Sequence, residues 1–145
     1  MIGRMSEFHE IELSVREYEM DQYGVVSNAV FADYCHLARH QLIDKIGVSI
    51  DWLIQSGRVV ALSELSLKYL GPLRIRDRFT IKVRISEYSA ARMHFEFFIT
   101  KIPTEEPILE ARSTVVVLDK NYRPVRIPSE VKSKLVQYIR HEEPN

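Results

Sequence analysis

The chain has 145 residues, 20 basic and 20 acidic, and 46% of them are hydrophobic. That balance predicts one globular domain over residues 1–145 with enough apolar side chains for a sizeable core. No apolar run approaches the ~20 residues that cross a bilayer. The N-terminal residues lack the apolar stretch of a secretory signal and the length and Arg/Ser richness of a transit peptide. The single cysteine, Cys35, excludes an intrachain disulfide and an all-cysteine zinc site, and fits a reducing compartment.

Ile11, Leu13 and Val15 alternate with Glu10, Glu12, Ser14 and Arg16, the period of a half-buried strand. Residues 18–28, YEMDQYGVVSN, lack a period and contain Gly24, so they read as a loop. From about residue 28 to 46 the period becomes helical. Val30, Tyr34, Leu37, Ala38, Leu42 and Ile46 share one face, while Asp33, His36, His40 and Asp44 share the other. Asn28 is a favourable N-cap and Gly47 the expected stop. Residues 49–56 predict a second, short helix between Ser49 and Gly57.

The remainder predicts strands. Leu65, Leu67 and Tyr69 alternate with polar residues until Gly71 and Pro72 break the run; Phe79, Ile81, Val83 and Ile85 form the next set, and Met93, Phe95, Phe97 and Ile99 another. Residues 108–118 end in a run that is apolar on both faces, as a central strand would be. A last helix starts near Pro128 and Ser129, with Val131, Leu135, Tyr138 and Ile139 as its apolar face. The expected architecture is α+β: a five-stranded antiparallel sheet, its last four strands joined by hairpin-length connections, around one long helix.

Charge is segregated along the chain. Residues 1–28 hold six acids against two arginines, whereas residues 68–92 hold seven bases against Asp77 and Glu87. A local surplus of that size suggests an anionic partner, and a solvated outer sheet face is the plainer account. The bases lack the interleaved aromatics of a nucleic-acid groove.

The loop carries the chemistry. An acid in a Gly-containing loop that feeds a long helix suits a carboxylate facing an acyl carbonyl whose oxygen rests on helix-start amides. Each residue also has a plainer role: Asp21 capping a turn, Gly24 making one, Asn28 capping the helix. His36 and His40 lie one helical turn apart, but no third ligand is evident, so no metal site is expected. Cys35 and His36 are helix neighbours that point apart, which disfavours a nucleophilic pair.

The loop and helix start, together with SELSLKYLGPLR (63–74), EPILEAR (106–112) and YRPVRIP (122–128), resemble the hotdog-fold thioesterases of the 4-hydroxybenzoyl-CoA thioesterase type. Within that family they are most similar to the plant single-hotdog acyl-ACP thioesterases, including those that release β-keto acids for methylketones. The resemblance runs from about residue 7 to 140. It implies a hotdog domain that hydrolyses fatty acyl-ACP, β-ketoacyl-ACP or acyl-CoA to the free acid. It implies Asp21 as nucleophile or general base, the Asn28 amide as oxyanion donor, and Gly24 as the point of close approach.

Tyr18, Val25, Tyr34, Glu64, Arg84 and Arg92 are the expected substrate-binding residues. Glu64 would be an assisting acid across a dimer interface, with a solvated strand glutamate as its plainer role, and Arg84 and Arg92, with Lys82, would meet the phosphates of acyl carrier protein or coenzyme A. Tyr34, Trp52, Tyr69, Phe95 and Phe97 are candidates for setting the depth of the acyl pocket. No cofactor, nucleic acid or membrane partner is implied. A homodimer or homotetramer is, and so is a plastid setting, with the cytoplasm as the other. Many relatives carry a histidine and paired asparagines where this chain has Val25, Val26, Ser27 and Asn28, so that histidine's role does not transfer. The alternatives are an aryl-CoA thioesterase, a hotdog dehydratase or hydratase, and a non-catalytic acyl-binding module.

Overall fold

A computed structural model describes residues 8–142. Strand β1 (His9–Ser14) leads through a 3-10 turn (Glu17–Glu19) and the loop to helix α1 (Asn28–Ile46). Helix α2 (Ile50–Gln55), strands β2 (Val59–Tyr69), β3 (Arg78–Tyr88), β4 (Arg92–Ile102) and β5 (Glu106–Leu118), and helix α3 (Ser129–Glu142) follow. The five strands form one antiparallel sheet in the order β1-β3-β4-β5-β2.

Period-two alternation assigns the faces. Phe79, Ile81, Val83 and Ile85 of β3 and Met93, Phe95, Phe97 and Ile99 of β4 are buried on the inner face, where α1 packs. The outer positions between them are partly exposed. Val115, Val116, Val117 and Leu118 of β5 are all buried, as the expectation of a central strand required.

Three expectations need correction. The segment after β2 is not a hairpin: β2 pairs with β5, and β3 pairs with β1. Residues 70–77 instead carry the chain across the end of the sheet, because Leu70 bonds back to the Ile108 carbonyl at one side and Asp77 receives the Val15 amide at the other. The inward face of α1 runs through Phe31, Tyr34, Cys35, Ala38, Leu42, Ile43 and Ile46. Leu37, expected inside, is 39% exposed, because the helix is rotated so that Cys35 and Ile43 fill that side of the core. The N-cap is Ser27, in extended conformation, and Asn28 is the first helical residue. At the other end Gly47 takes the left-handed conformation, with φ 93°, as the expected stop requires.

Helix α2 is capped as expected, Ser49 Oγ accepting the Trp52 amide at 3.1 Å. Among the described residues, no helix is long and apolar enough to cross a membrane.

Candidate active site

The loop before α1 is tied down at both edges. Asp21 N–H donates to the Val25 carbonyl at 2.8 Å, Val26 N–H to the Leu73 carbonyl at 2.8 Å, and Ser27 N–H to the Glu19 carbonyl at 3.0 Å. Gly24 closes the turn at φ 76°, a conformation that costs other residues about 1 kcal/mol or more. No protein atom lies within 4 Å of where its side chain would start. The glycine therefore serves the turn, and the space above it is open.

Asp21 sits at the centre of this turn. One oxygen, Oδ1, accepts the Tyr23 amide at 2.8 Å and, at 3.5 Å, the Val25 amide. Among the described residues no donor reaches Oδ2. The plainer role is thus real, and it leaves half of the carboxylate available. A turn that fixes one oxygen also aims the other, which is how a reacting group is preorganised.

Seven residues on, the helix begins. Val30 N–H is satisfied by the Ser27 carbonyl at 3.0 Å, while the amides of Asn28 and Ala29 have no acceptor among the described residues. These free donors at the positive end of a 19-residue helix are suited to an oxyanion. The Asn28 carbonyl accepts the Tyr69 hydroxyl at 3.2 Å, and Phe31 meets the Tyr69 ring edge-on at 5.6 Å. The end of β2 is so fastened to the start of α1.

Of the other expected residues, Val25 lies within the turn and Tyr18 at its rim, 75% exposed with its hydroxyl taking Arg16 Nη1 at 2.7 Å. Tyr34 lies beneath, its ring against Phe79 at 4.8 Å. Its enclosed hydroxyl makes no hydrogen bond of ordinary length. Burial, then the neighbouring Glu19 carboxylate, raises its pKa well above that of a free phenol.

Glu64 and Arg84 are elsewhere. They line a groove on the outer face of the sheet together with His94 and Arg112. Arg84 Nε is bonded to Glu96 Oε1 at 2.9 Å, with the guanidinium 4.4 Å from the Phe8 ring centre. Lys82 pairs with Glu10 at 3.7 Å and Arg78 with Glu12 at 2.6 Å. Part of the charge segregation in the sequence is therefore cross-strand pairing between β1 and β3. Arg92 opens β4, at the far end of the sheet from the loop. Within one chain Glu64, Arg84 and Arg92 lie apart from Asp21, since strand face and strand end decide this and neither is written in local composition.

An apolar cavity of about 320 Å³ lies between α1, α2 and the inner face of β2, β4 and β5. Ile43, Leu53, Val60, Met93, Phe95 and Val115 are among its walls, and His36, Arg39 and His40 form its polar side. Phe95 was expected there; Leu53, Val60, Met93 and Val115 were not singled out, although their apolar inward spacing carries the signal. The His36 and His40 rings lie 4.2 Å apart, and among the described residues no cluster of three His, Cys, Asp or Glu could hold a metal. Cys35 is 1% exposed, and burial, partly offset by Arg39, pushes its thiol up to about 12.

Comparison with known proteins identifies the family and the fold. Residues 15–135 match the family model described as the Thioesterase-like superfamily. The chain is 54% identical over 139 residues to acyl-acyl carrier protein thioesterase ATL3, chloroplastic, of Arabidopsis thaliana, covering 96% of this chain and 73% of that protein. It is also 54% identical to the ATL2 protein of the same plant, over 87% of this chain and 67% of that one. Among solved structures, Slr0204, a 1,4-dihydroxy-2-naphthoyl-CoA thioesterase from Synechocystis, superposes with a TM-score of 0.82 at 20% identity, covering 92% of this chain and 96% of that one.

Proposed function

The chain belongs to the Thioesterase-like superfamily and is a thioester hydrolase, and from that premise we propose that Asp21 and the start of α1 cleave acyl groups from acyl carrier protein. The observation that carries the site is the pairing of a half-free carboxylate with two helix amides that lack acceptors, Asn28 and Ala29. The substrate follows the Arabidopsis relatives, both acyl-acyl carrier protein thioesterases; a β-ketoacyl chain is the finer substrate within that class.

The chemistry needs an oxygen nucleophile and a place for the oxyanion. In one route Asp21 Oδ2 attacks the carbonyl carbon, the thiolate leaves, and water hydrolyses the resulting anhydride. In the other, Oδ2 takes a proton from water as that water attacks, and returns it to the departing thiolate. Both routes place the developing negative charge on the Asn28 and Ala29 amides, and one such donor is worth about 10²–10³ in rate.

The acyl tail runs from this point along α1. His36 is eight residues beyond Asn28, or about 12 Å of helix, and there the apolar cavity opens. Its volume of about 320 Å³ accommodates roughly ten water-sized groups, enough for a medium-length chain.

The working form is a two-fold dimer joined through β2. That strand is the free edge of the sheet opposite β1 and exposes Val59, Leu62 and Tyr69, the apolar edge that natural sheets otherwise cover. The setting is the plastid, as for both Arabidopsis relatives; expression of the complete coding sequence as a fluorescent fusion tests this, and exclusion from plastids refutes it.

Purified protein with a medium-chain acyl carrier protein tests the activity. Asp21→Asn is expected to lower kcat by about 10²–10⁴, and wild-type kcat in that variant would refute the site. Single turnover in ¹⁸O water tests the anhydride route, because label enters Asp21 only when water opens an anhydride at the aspartyl carbon.

A further inference from the structure

One wall of the apolar cavity differs chemically from the rest. The residues it takes from α2 and the strands are apolar, whereas α1 presents His36, Arg39 and His40, and no acid lines the space. Arg39 is half-buried, and its guanidinium has no carboxylate within 4 Å among the described residues. Nη2 donates to His36 Nδ1 at 3.1 Å, a contact one turn back along the helix, in the direction that helical side chains lean. Burial draws the Arg39 pKa down, and the opposing pull comes from the Cys35 thiol, not from a carboxylate. The group stays charged at neutral pH, because a guanidinium starts far above it. The His40 ring lies 4.2 Å from that of His36. Burial, then His36 and Arg39, lowers its pKa, so this imidazole is neutral at pH 7.

A cation beside an apolar cavity loses hydration and, with no acid near it, regains nothing by pairing. An anion brought in by the ligand restores the balance. Distance says where on the ligand that anion sits. The guanidinium is drawn back to His36, which is about 12 Å along the helix from the Asn28 amide. An extended chain of roughly ten carbons spans that length. The oxygen that meets Arg39 is therefore carried at the far end of a medium-length acyl group, where a saturated chain has its methyl. A 3-keto oxygen, close to the thioester, stops well short of it.

We propose that Arg39 is a specificity-determining residue that pairs with a carboxylate at the far end of the acyl chain, while His36 holds the guanidinium in place. This deepens the reading given under Proposed function and rests on it: the Asp21 site cleaves the half-thioester of a medium-length dicarboxylic acid. A carboxylate takes two parallel N–H bonds from the guanidinium fork, which a terminal hydroxyl cannot do.

The test compares two thioesters on the same acyl carrier protein, decanoyl and its ω-carboxy analogue of equal length. Wild-type kcat/KM should favour the carboxylated chain by about tenfold. Arg39→Met keeps an apolar stem on the cavity wall and removes the cation. It should lower kcat/KM on the carboxylated chain by about 10–10²-fold and raise it on decanoyl. Opposite changes on the two chains distinguish recognition from a folding defect, which lowers both. Arg39→Lys keeps the charge without the fork and should retain part of the preference. A wild-type protein that does not prefer the carboxylated chain, or an unchanged ratio between the chains in Arg39→Met, overturns the proposal. Failure of the wild-type chain to hydrolyse either thioester would instead remove the reading beneath it.

Discussion

In the proposed site Asp21 has two tasks in one side chain, and substitutions can separate them. Asparagine keeps an acceptor for the Tyr23 amide and removes the charge, so Asp21→Asn should abolish most turnover with a melting temperature near wild type. Alanine removes the acceptor too, and Asp21→Ala should cost a further ~1 kcal/mol of stability, read as a lower urea midpoint. Cys35 gives a pH signature. Its folded thiol holds a proton more tightly than the unfolded one, so its stabilising contribution is complete below pH 9 and is lost as pH rises toward 12. Stability should fall there by up to about 1.4 kcal/mol per pH unit from this group. The slope should flatten in Cys35→Ala, and a thiol reagent at pH 8 should leave the native protein unlabelled.

At the scale of elements, the cavity between α1, α2 and the sheet links packing to specificity. Val115→Phe would fill part of it, and each methylene so excluded should lower kcat/KM for longer chains about fourfold, at ~0.8 kcal/mol apiece. An acyl-chain panel reads this directly, and an unchanged profile places the tail elsewhere. The strands and helices that build this cavity were legible in the sequence, because alternation in 79–85 and 93–99 and the stop at Gly47 are local signals. The loop acid and helix start were legible for the same reason. The crossing from β2 to β3 was not, since Gly71 and Pro72 mark a break without saying which strand the chain joins next. Nor was the loss of Arg84 and Lys82 to Glu96 and Glu10, because partners 12 and 72 residues apart meet only once the sheet has its register.

For the whole molecule, the proposed dimer has a simple physical check. Light scattering should give twice the 17.0 kDa of one chain, and Leu62→Lys on the exposed part of β2 should shift the protein toward monomer at micromolar concentration. A wild-type monomer would refute the β2 dimer. The sheet's two edges are unlike: β2 is 11 residues long and partly apolar, whereas β1 has six residues, with Glu10 and Glu12 held in ion pairs to β3. Joining two copies through β2 leaves β1 outermost on both sides, short and charged, a poor template for another strand. In the proposed dimer growth would therefore terminate after one step, and an exposed sheet edge would yield a closed ten-stranded pair instead of a fibre.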